Sequence, residues 1–393
     1  MYNYKRRFGM LILFENCRLF DSTNRIFKTR SMLVEDGVIR ALLRHTDARP
    51  EVDSVIDCEG KDVIPGLVDI HTHGRAGADF NIADADDMRM MAKSYAEYGV
   101  TSVFPTLASA EFPDLCAQAE LIDSLKGDTD GAEFLGVHLE GRYLNPSKSG
   151  AHNPELLALP NTVELDAFAA SSKLPLRVSA AYELKGGDEF AAHARELGAT
   201  LSLAHTAATY KEASELYLKH KIAFTHLYNC MPPIHHRDGG TVLAALESGG
   251  FCELICDGHH ISPEMVAFTY RMVGMDRLVL ISDSMEATAL SDGEYSIAGL
   301  PVIVRDGVAR TESGNLAGST LSLINGVENL ARFANIPIVD ALICATLTPA
   351  RAVGLENKIG KLTPGNRADF IICSIYGKKI DVEQVFVGGE VVY

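Results

Sequence analysis

Short apolar runs broken by polar turns occupy both ends of the chain, and strand-length and helix-length apolar stretches alternate through its middle. Near the start, residues 11–14, 31–35, 38–43 and 52–58 read as strands, punctuated by Asp36-Gly37 and Glu59-Gly60. Asp-Gly between two apolar runs predicts a hairpin, because both residues tolerate the left-handed backbone that a tight turn demands. The C-terminal end has the same texture, with strands expected at 368–373, 382–387 and 390–393 around Gly388-Gly389. The two ends are therefore expected to form one small β-sandwich domain, residues 1–64 with 356–393, around a central unit spanning 65–355.

In that central unit, strands are expected at 100–105, 134–139, 177–181, 200–204, 223–226, 252–255 and 278–282. Helices are expected between them at 113–125, 163–171, 189–197 and 209–219. Repeated βα units place strands in parallel with helices as crossovers, and their simplest closure is a barrel. The predicted class is α/β: a (β/α)8 TIM-like barrel with a small β-sandwich built from both termini.

Composition narrows the function. The chain has 393 residues, 47% of them hydrophobic and 22% charged, with a formal net charge of −16. Without a basic patch this balance argues against a nucleic-acid surface. It leaves room for an anionic small molecule held by local Arg, His or backbone groups. No apolar run has the length of a membrane span. The eight cysteines show neither a zinc-type CxxC pair nor a disulfide framework, and Cys252 with Cys256 reads as core packing, so a reduced, cytoplasmic compartment fits. At the start, Lys5, Arg6 and Arg7 precede an apolar stretch too short for a signal segment, which is read instead as a first strand.

Candidate chemistry gathers where predicted strands finish. Residues 69–73 read Asp-Ile-His-Thr-His, so strand alternation points His71 and His73 the same way. The run at 134–139 ends on Glu140, that at 200–204 on His205, that at 223–226 on His226, and that at 278–282 on Asp283. One such residue is commonly a cap or a turn hydrogen bond. Several strands ending this way are not explained by capping, because caps favour Ser, Asp and Asn over His. Imidazole and carboxylate without thiolate suit a divalent metal: zinc first, with iron, manganese, cobalt and nickel as alternatives. Five ligand candidates (His71, His73, Glu140, His205 and His226) exceed what one tetrahedral ion needs, which leaves room for one or two ions per subunit. Such an ion makes a nearby water acidic, which suits hydrolysis, with Asp283 as general base.

Three further clusters read as substrate binders. In Asp257-Gly258-His259-His260 an imidazole can face a developing oxyanion. His235-His236-Arg237 offers positive charge for a phosphate. Leu316-Ala317-Gly318-Ser319-Thr320 is a small-residue turn whose backbone suits a pocket wall, Ala317 included. His45, His193 and His220 are read as surface residues.

Taken in order, Pro65–Gly74, His138–Gly141, Ser149–Asn153, Ala204–Thr206, His226–Met231, Asp257–His260, Ser282-Asp283 and Leu316–Thr320 resemble the amidohydrolase superfamily. Within it they are most similar to the N-acetylglucosamine-6-phosphate deacetylase family, over about residues 60–325. The resemblance implies a barrel that removes acetate from the 2-acetamido group of a sugar 6-phosphate. It implies Glu140, His205 and His226 as main metal ligands, and His71 and His73 as the dyad of two-metal members. Asp283 would be the catalytic aspartate and His260 the histidine at the reacting amide. Ala151, His152, Asn229, Cys230 and Leu316 fall at substrate-lining positions. Arg237 matches an arginine that reaches the phosphate of a neighbouring subunit, implying a homodimer.

The chain departs from the family pattern at Arg142-Tyr143, at Cys230 in place of a common Ala, and at Ser284-Met285-Glu286. These leave the sugar epimer, glucosamine or galactosamine, open. A cyclic amidase of the same superfamily commonly uses a carboxylated lysine, whereas the corresponding strand here delivers Glu140. A nucleobase deaminase usually carries a His-x-x-Glu pairing that the segment at His205 lacks. A scaffold protein without catalysis would have substituted ligands, and this chain keeps them.

Overall fold

The computed structural model describes residues 9–393, so Lys5, Arg6 and Arg7 lie outside the described residues. Parallel strands at Leu67–Thr72, Val100–Ala108, Val137–Glu140, Leu176–Ala180, Thr200–Leu203, Ala223–Phe224, Cys252–Ile255 and Leu278–Ile281 form the staves of a barrel. Each stave leads to a helix: Ala85–Glu97, Phe112–Ser124, Thr162–Ser171, Gly187–Glu196, Tyr210–His220, Gly240–Glu247, Pro263–Val273 and Leu323–Phe333 in turn. Side-chain caps start several of them. Asp84 and Thr209 close capping boxes, and Asn161 and Ser262 accept from backbone N–H groups of the first turn.

Alternation along the strands sorts the two sides of the barrel wall. Leu139, Val178 and Leu254 pack outward into the main apolar core. His138, Glu140, Arg177, Ser179 and Glu253 occupy the alternate positions and are also buried. The seam between first and last staves is held at Asp283, whose N–H donates to the His71 carbonyl (3.0 Å). Beside it, Asp69 Oδ1 accepts from the backbone N–H of Ser282 (3.3 Å).

Both chain ends build the second sheet, as expected. Strand Phe370–Tyr376 pairs antiparallel with Asp62–Pro65, in register Phe370↔Pro65. Leu11–Asp21, Ile26–Glu35, Val38–Leu43, Ser54–Asp57, Lys379–Val387 and Glu390–Val391 complete eight strands. The sheet curls until its ends touch: the Ala368 N–H donates to the Gly37 carbonyl (2.8 Å). Asp36 and Gly37 adopt φ of 50° and 75°, the backbone that their hairpin needs. Inside the curl lie Phe14, Phe370 and Phe386 among aliphatic neighbours.

The structure also corrects some expectations. The predicted strand 134–139 is interrupted between Glu133–Phe134 and Val137–Glu140. There the Phe104 ring lies so close that a Cβ on Gly136 would fall 2.0 Å from it. His220 is buried rather than a surface residue, on the inward face of its helix with Ala213 and Leu216, and its Nε2 meets Asp188 Oδ1 at 2.8 Å. A three-stranded antiparallel sheet, Gly293–Ile297, Leu300–Arg305 and Val308–Thr311, interrupts the last βα unit. The eight cysteines are free thiols. Among the described residues no helix is long and apolar enough to cross a membrane.

Candidate metal centre and active site

The strand ends bring their polar residues to one mouth of the barrel. Glu140 stands at the middle, fully buried, with one carboxylate oxygen toward each of two histidine pairs. Its Oε2 lies 3.2 Å from His71 Nε2 and 3.0 Å from His73 Nε2. Its Oε1 lies 3.1 Å from His226 Nε2 and 3.5 Å from His205 Nε2. Asp283 Oδ1 approaches His71 Nε2 at 3.4 Å and His73 Nε2 at 3.3 Å. Local backbone enforces this convergence. His205, His226 and Asp283, each just past its strand, have φ of 43°, 29° and 48°. That left-handed region disfavours side chains with a Cβ, and strain of this kind gathers at functional sites.

Hydrogen bonds on the far sides of the rings assign tautomers. His205 Nδ1 faces the Lys148 carbonyl at 2.8 Å, so that nitrogen donates and a neutral ring turns a lone pair at Nε2 toward Glu140. His71 Nδ1 faces Glu253 Oε2 at 3.0 Å, with the same consequence. His152 runs the other way. Its Nδ1 accepts the backbone N–H of Ser109 (3.3 Å), which leaves its proton on Nε2, 4.0 Å from Glu140 Oε2. Burial, with help from the nearby His205, pushes the His152 pKa down from 6.5 to about 3, so it is a neutral donor.

Charge follows the same geometry. Burial alone would raise the pKa of Glu140; positive charge at His71 and contacts with His205 and His226 hold it well below the usual carboxylate range, a charge that a bound cation would supply in place of ring protons. Asp283 is likewise lowered against its burial by His71 and His73. The His205 and His226 Nε2 atoms stand 3.2 Å apart, and those of His71 and His73 stand 3.4 Å apart. Imidazole lone pairs and ionised carboxylates converging in a buried place repel one another unless a cation sits among them. Two groups qualify, each with all ligand atoms within 4.8 Å: His71, His73 and Glu140, and Glu140, His205 and His226. The donor set fits a divalent ion with nitrogen and oxygen ligands.

The Amidohydrolase family profile matches residues 63–392. The chain belongs to the amidohydrolase family. It is 34% identical to the N-acetylglucosamine-6-phosphate deacetylase of Vibrio furnissii, over 91% of this chain and 89% of that one. It is also 34% identical to the N-acetylgalactosamine-6-phosphate deacetylase of Escherichia coli O157:H7, over 91% and 93% of the two chains. Among solved structures, a mutant N-acetyl-D-glucosamine-6-phosphate deacetylase from Mycobacterium smegmatis, in complex with N-acetyl-D-glucosamine-6-phosphate, superposes with a TM-score of 0.85. That match has 28% identity and covers 98% of this chain and 100% of that one. The chain is a hydrolase of carbon–nitrogen bonds, from a metal-dependent family.

In this amidohydrolase the centre forms the floor of a cavity of about 560 Å³, within the range of small-molecule sites. Ala151, His152, Asn229, Cys230, His260 and Leu316 line it, together with His73, Glu140, His205, His226 and Asp283. His71 lies beneath, fully buried. His260 is oriented by Asp257, whose Oδ2 faces its Nδ1 at 2.7 Å. Two of the predicted residues stand elsewhere. Ala317 is buried in the core of the three-stranded sheet, and Arg237 is exposed beside a shallow outer depression with Lys211 and Asp238. Sequence reasoning missed part of the wall: Lys148, Ile297, Ala298 and Asn315. It also missed Glu253 and Arg177 below the floor. Their signal was available, since each is a charge inside a short buried strand.

Proposed function

We propose that this amidohydrolase is a metal-dependent deacetylase, which hydrolyses the 2-acetamido group of N-acetylglucosamine 6-phosphate to glucosamine 6-phosphate and acetate. The observation that carries the reading is the convergence of Glu140, His205, His226 and Asp283 on the floor of one cavity. Relatives that act on sugar 6-phosphates, aligned over nine-tenths of the chain, support it. Glu140, His205 and His226 would hold the principal ion, and His71 and His73 with Glu140 a second. The ligand chemistry favours zinc, with iron, manganese, cobalt and nickel able to use the same donors. When bound, such an ion polarises the amide and makes water acidic at neutral pH.

The chain's own groups do the rest. Asp283 Oδ1 takes the proton of the attacking water and returns it to the sugar nitrogen as the carbon–nitrogen bond breaks, so proton and leaving group balance. His152 Nε2–H faces the same space as a neutral donor for charge developing on the amide oxygen. His260, held by Asp257 in the cavity lining, meets the reacting amide. Ala151, Asn229, Cys230 and Leu316 shape the sugar pocket, with the Ala317 turn behind Leu316. Arg237 is too exposed to serve its own cavity and is assigned to the phosphate in a neighbouring subunit of a homodimer. A cytoplasmic enzyme with free thiols fits this account.

Acetate release from the 6-phosphates of N-acetylglucosamine and N-acetylgalactosamine, and from both unphosphorylated sugars, tests the proposal. The fastest turnover is expected with N-acetylglucosamine 6-phosphate. Faster turnover of the galactosamine epimer would install the second reading, which the relative from Escherichia coli O157:H7 favours. Equal rates with and without phosphate would remove Arg237 from its role.

A further inference from the structure

Beneath the cavity floor lies a buried ion pair that the hydrolytic reading does not use. Arg177, on strand Leu176–Ala180, and Glu253, on strand Cys252–Ile255, are both fully buried. Arg177 Nη2 donates to Glu253 Oε1 at 2.5 Å. The other two guanidinium nitrogens, Nε and Nη1, have no partner among the described residues. A buried arginine left two-thirds unsatisfied is a poor device for stability, because desolvating the pair offsets most of its attraction. The second oxygen of Glu253 shows what the pair does. Oε2 faces His71 Nδ1 at 3.0 Å and accepts the backbone N–H of His226 at 3.3 Å. One carboxylate thus touches a member of each histidine pair.

We infer that Glu253, aimed by Arg177, is a positioning residue that fixes His71 in the tautomer able to bind a cation, and so decides whether the His71–His73–Glu140 group holds an ion. A carboxylate is an acceptor only, so His71 must place its proton on Nδ1 and present a lone pair at Nε2. Partners of this kind orient metal-binding histidines and raise their basicity. Within the same group His73 Nδ1 is buried without a partner, so His71 is the one ring there with a fixed orientation. In the other group the Lys148 carbonyl performs that service for His205, and Glu253 reaches only the backbone N–H of His226, not its ring. The inference rests on the metal-dependent reading and predicts that the two ions are separable.

The test replaces the pair with apolar residues of similar volume, Arg177→Met with Glu253→Leu, an exchange that buried ion pairs often tolerate without loss of stability. Metal-depleted wild type and variant are titrated with cobalt against a chromophoric chelator, and urea midpoints are recorded. The wild type is expected to take two ions. The double variant is expected to hold one of them about 10–100-fold more weakly, with the other affinity changed much less and the urea midpoint showing that the variant remains folded. Glu253→Gln, which keeps an acceptor oxygen, is expected to weaken the same ion by less, and serves if the double variant does not fold. Two ions bound as tightly in the variants as in wild type would overturn the inference. A wild type that takes only one ion would overturn it while leaving the metal reading intact. A wild type that takes none would remove both.

Discussion

The two buried interiors of this molecule are built from opposite materials. In the curled sheet, Phe14, Phe370 and Phe386 pack as a triad with ring centroids 4.9, 5.2 and 4.6 Å apart. Under the barrel mouth the same degree of burial is given to His71, His138, Arg177 and Glu253. His138 bridges Thr106 Oγ1 and Ser179 Oγ at 3.0 and 2.7 Å, and its ring stands 4.7 Å from that of His71. Apolar burial is non-directional and contributes stability wherever shapes fit. Buried polar groups need every partner in place, so they contribute position more than stability. The sheet therefore holds the chain ends together, and the barrel interior holds the chemistry in register.

That contrast can be broken at its polar side first. Asp283→Asn keeps the left-handed backbone, which Asn tolerates, but removes the proton acceptor. Acetate release is expected to fall by about 10²–10⁴-fold, with metal content by elemental analysis unchanged. Retained turnover would mean that another group moves the proton. On the apolar side, Phe14→Ala is expected to lower unfolding free energy by about 3–5 kcal/mol, with kcat/KM of the folded protein unchanged. A loss of turnover in folded Phe14→Ala protein would show that the two interiors are coupled.

A smaller effect sharpens the comparison through pH. His152 has its folded pKa lowered to about 3 from an ordinary 6.5 by burial and by His205. Between those values the unfolded chain binds a proton that the folded chain refuses, so this residue's contribution to stability is present above pH 6.5 and is lost as pH falls toward 3. His152→Gln is expected to flatten part of the acid limb of the urea midpoint measured against pH. An unchanged limb would remove His152 from the set of buried neutral groups.

The strand-end chemistry was legible because two periodicities coincide. Alternation puts His71 and His73 on one side, and each apolar run stops where a His, Glu or Asp begins. The groups that aim those residues left only a charge inside an apolar run, and their pairing was not legible. Glu253 and Arg177 stand 76 residues apart, and barrel closure alone makes them neighbours. Ala317 failed to line the cavity for a related reason: a turn's composition does not say which way it faces. His220 ends a helix whose pattern reads as exposed, and the partner that satisfies its buried ring, Asp188, comes from another helix. The three-stranded sheet carried a usable signal in Asp306-Gly307, whose φ values of 52° and 71° repeat the turn seen at Asp36-Gly37.

The account turns on a cation held where the strand ends meet. Anomalous diffraction from crystals grown with zinc, collected on both sides of the absorption edge, reads this directly. A peak bounded by Glu140 Oε1, His205 Nε2 and His226 Nε2 is predicted. A protein that releases acetate from N-acetylglucosamine 6-phosphate with no peak at those atoms would contradict it.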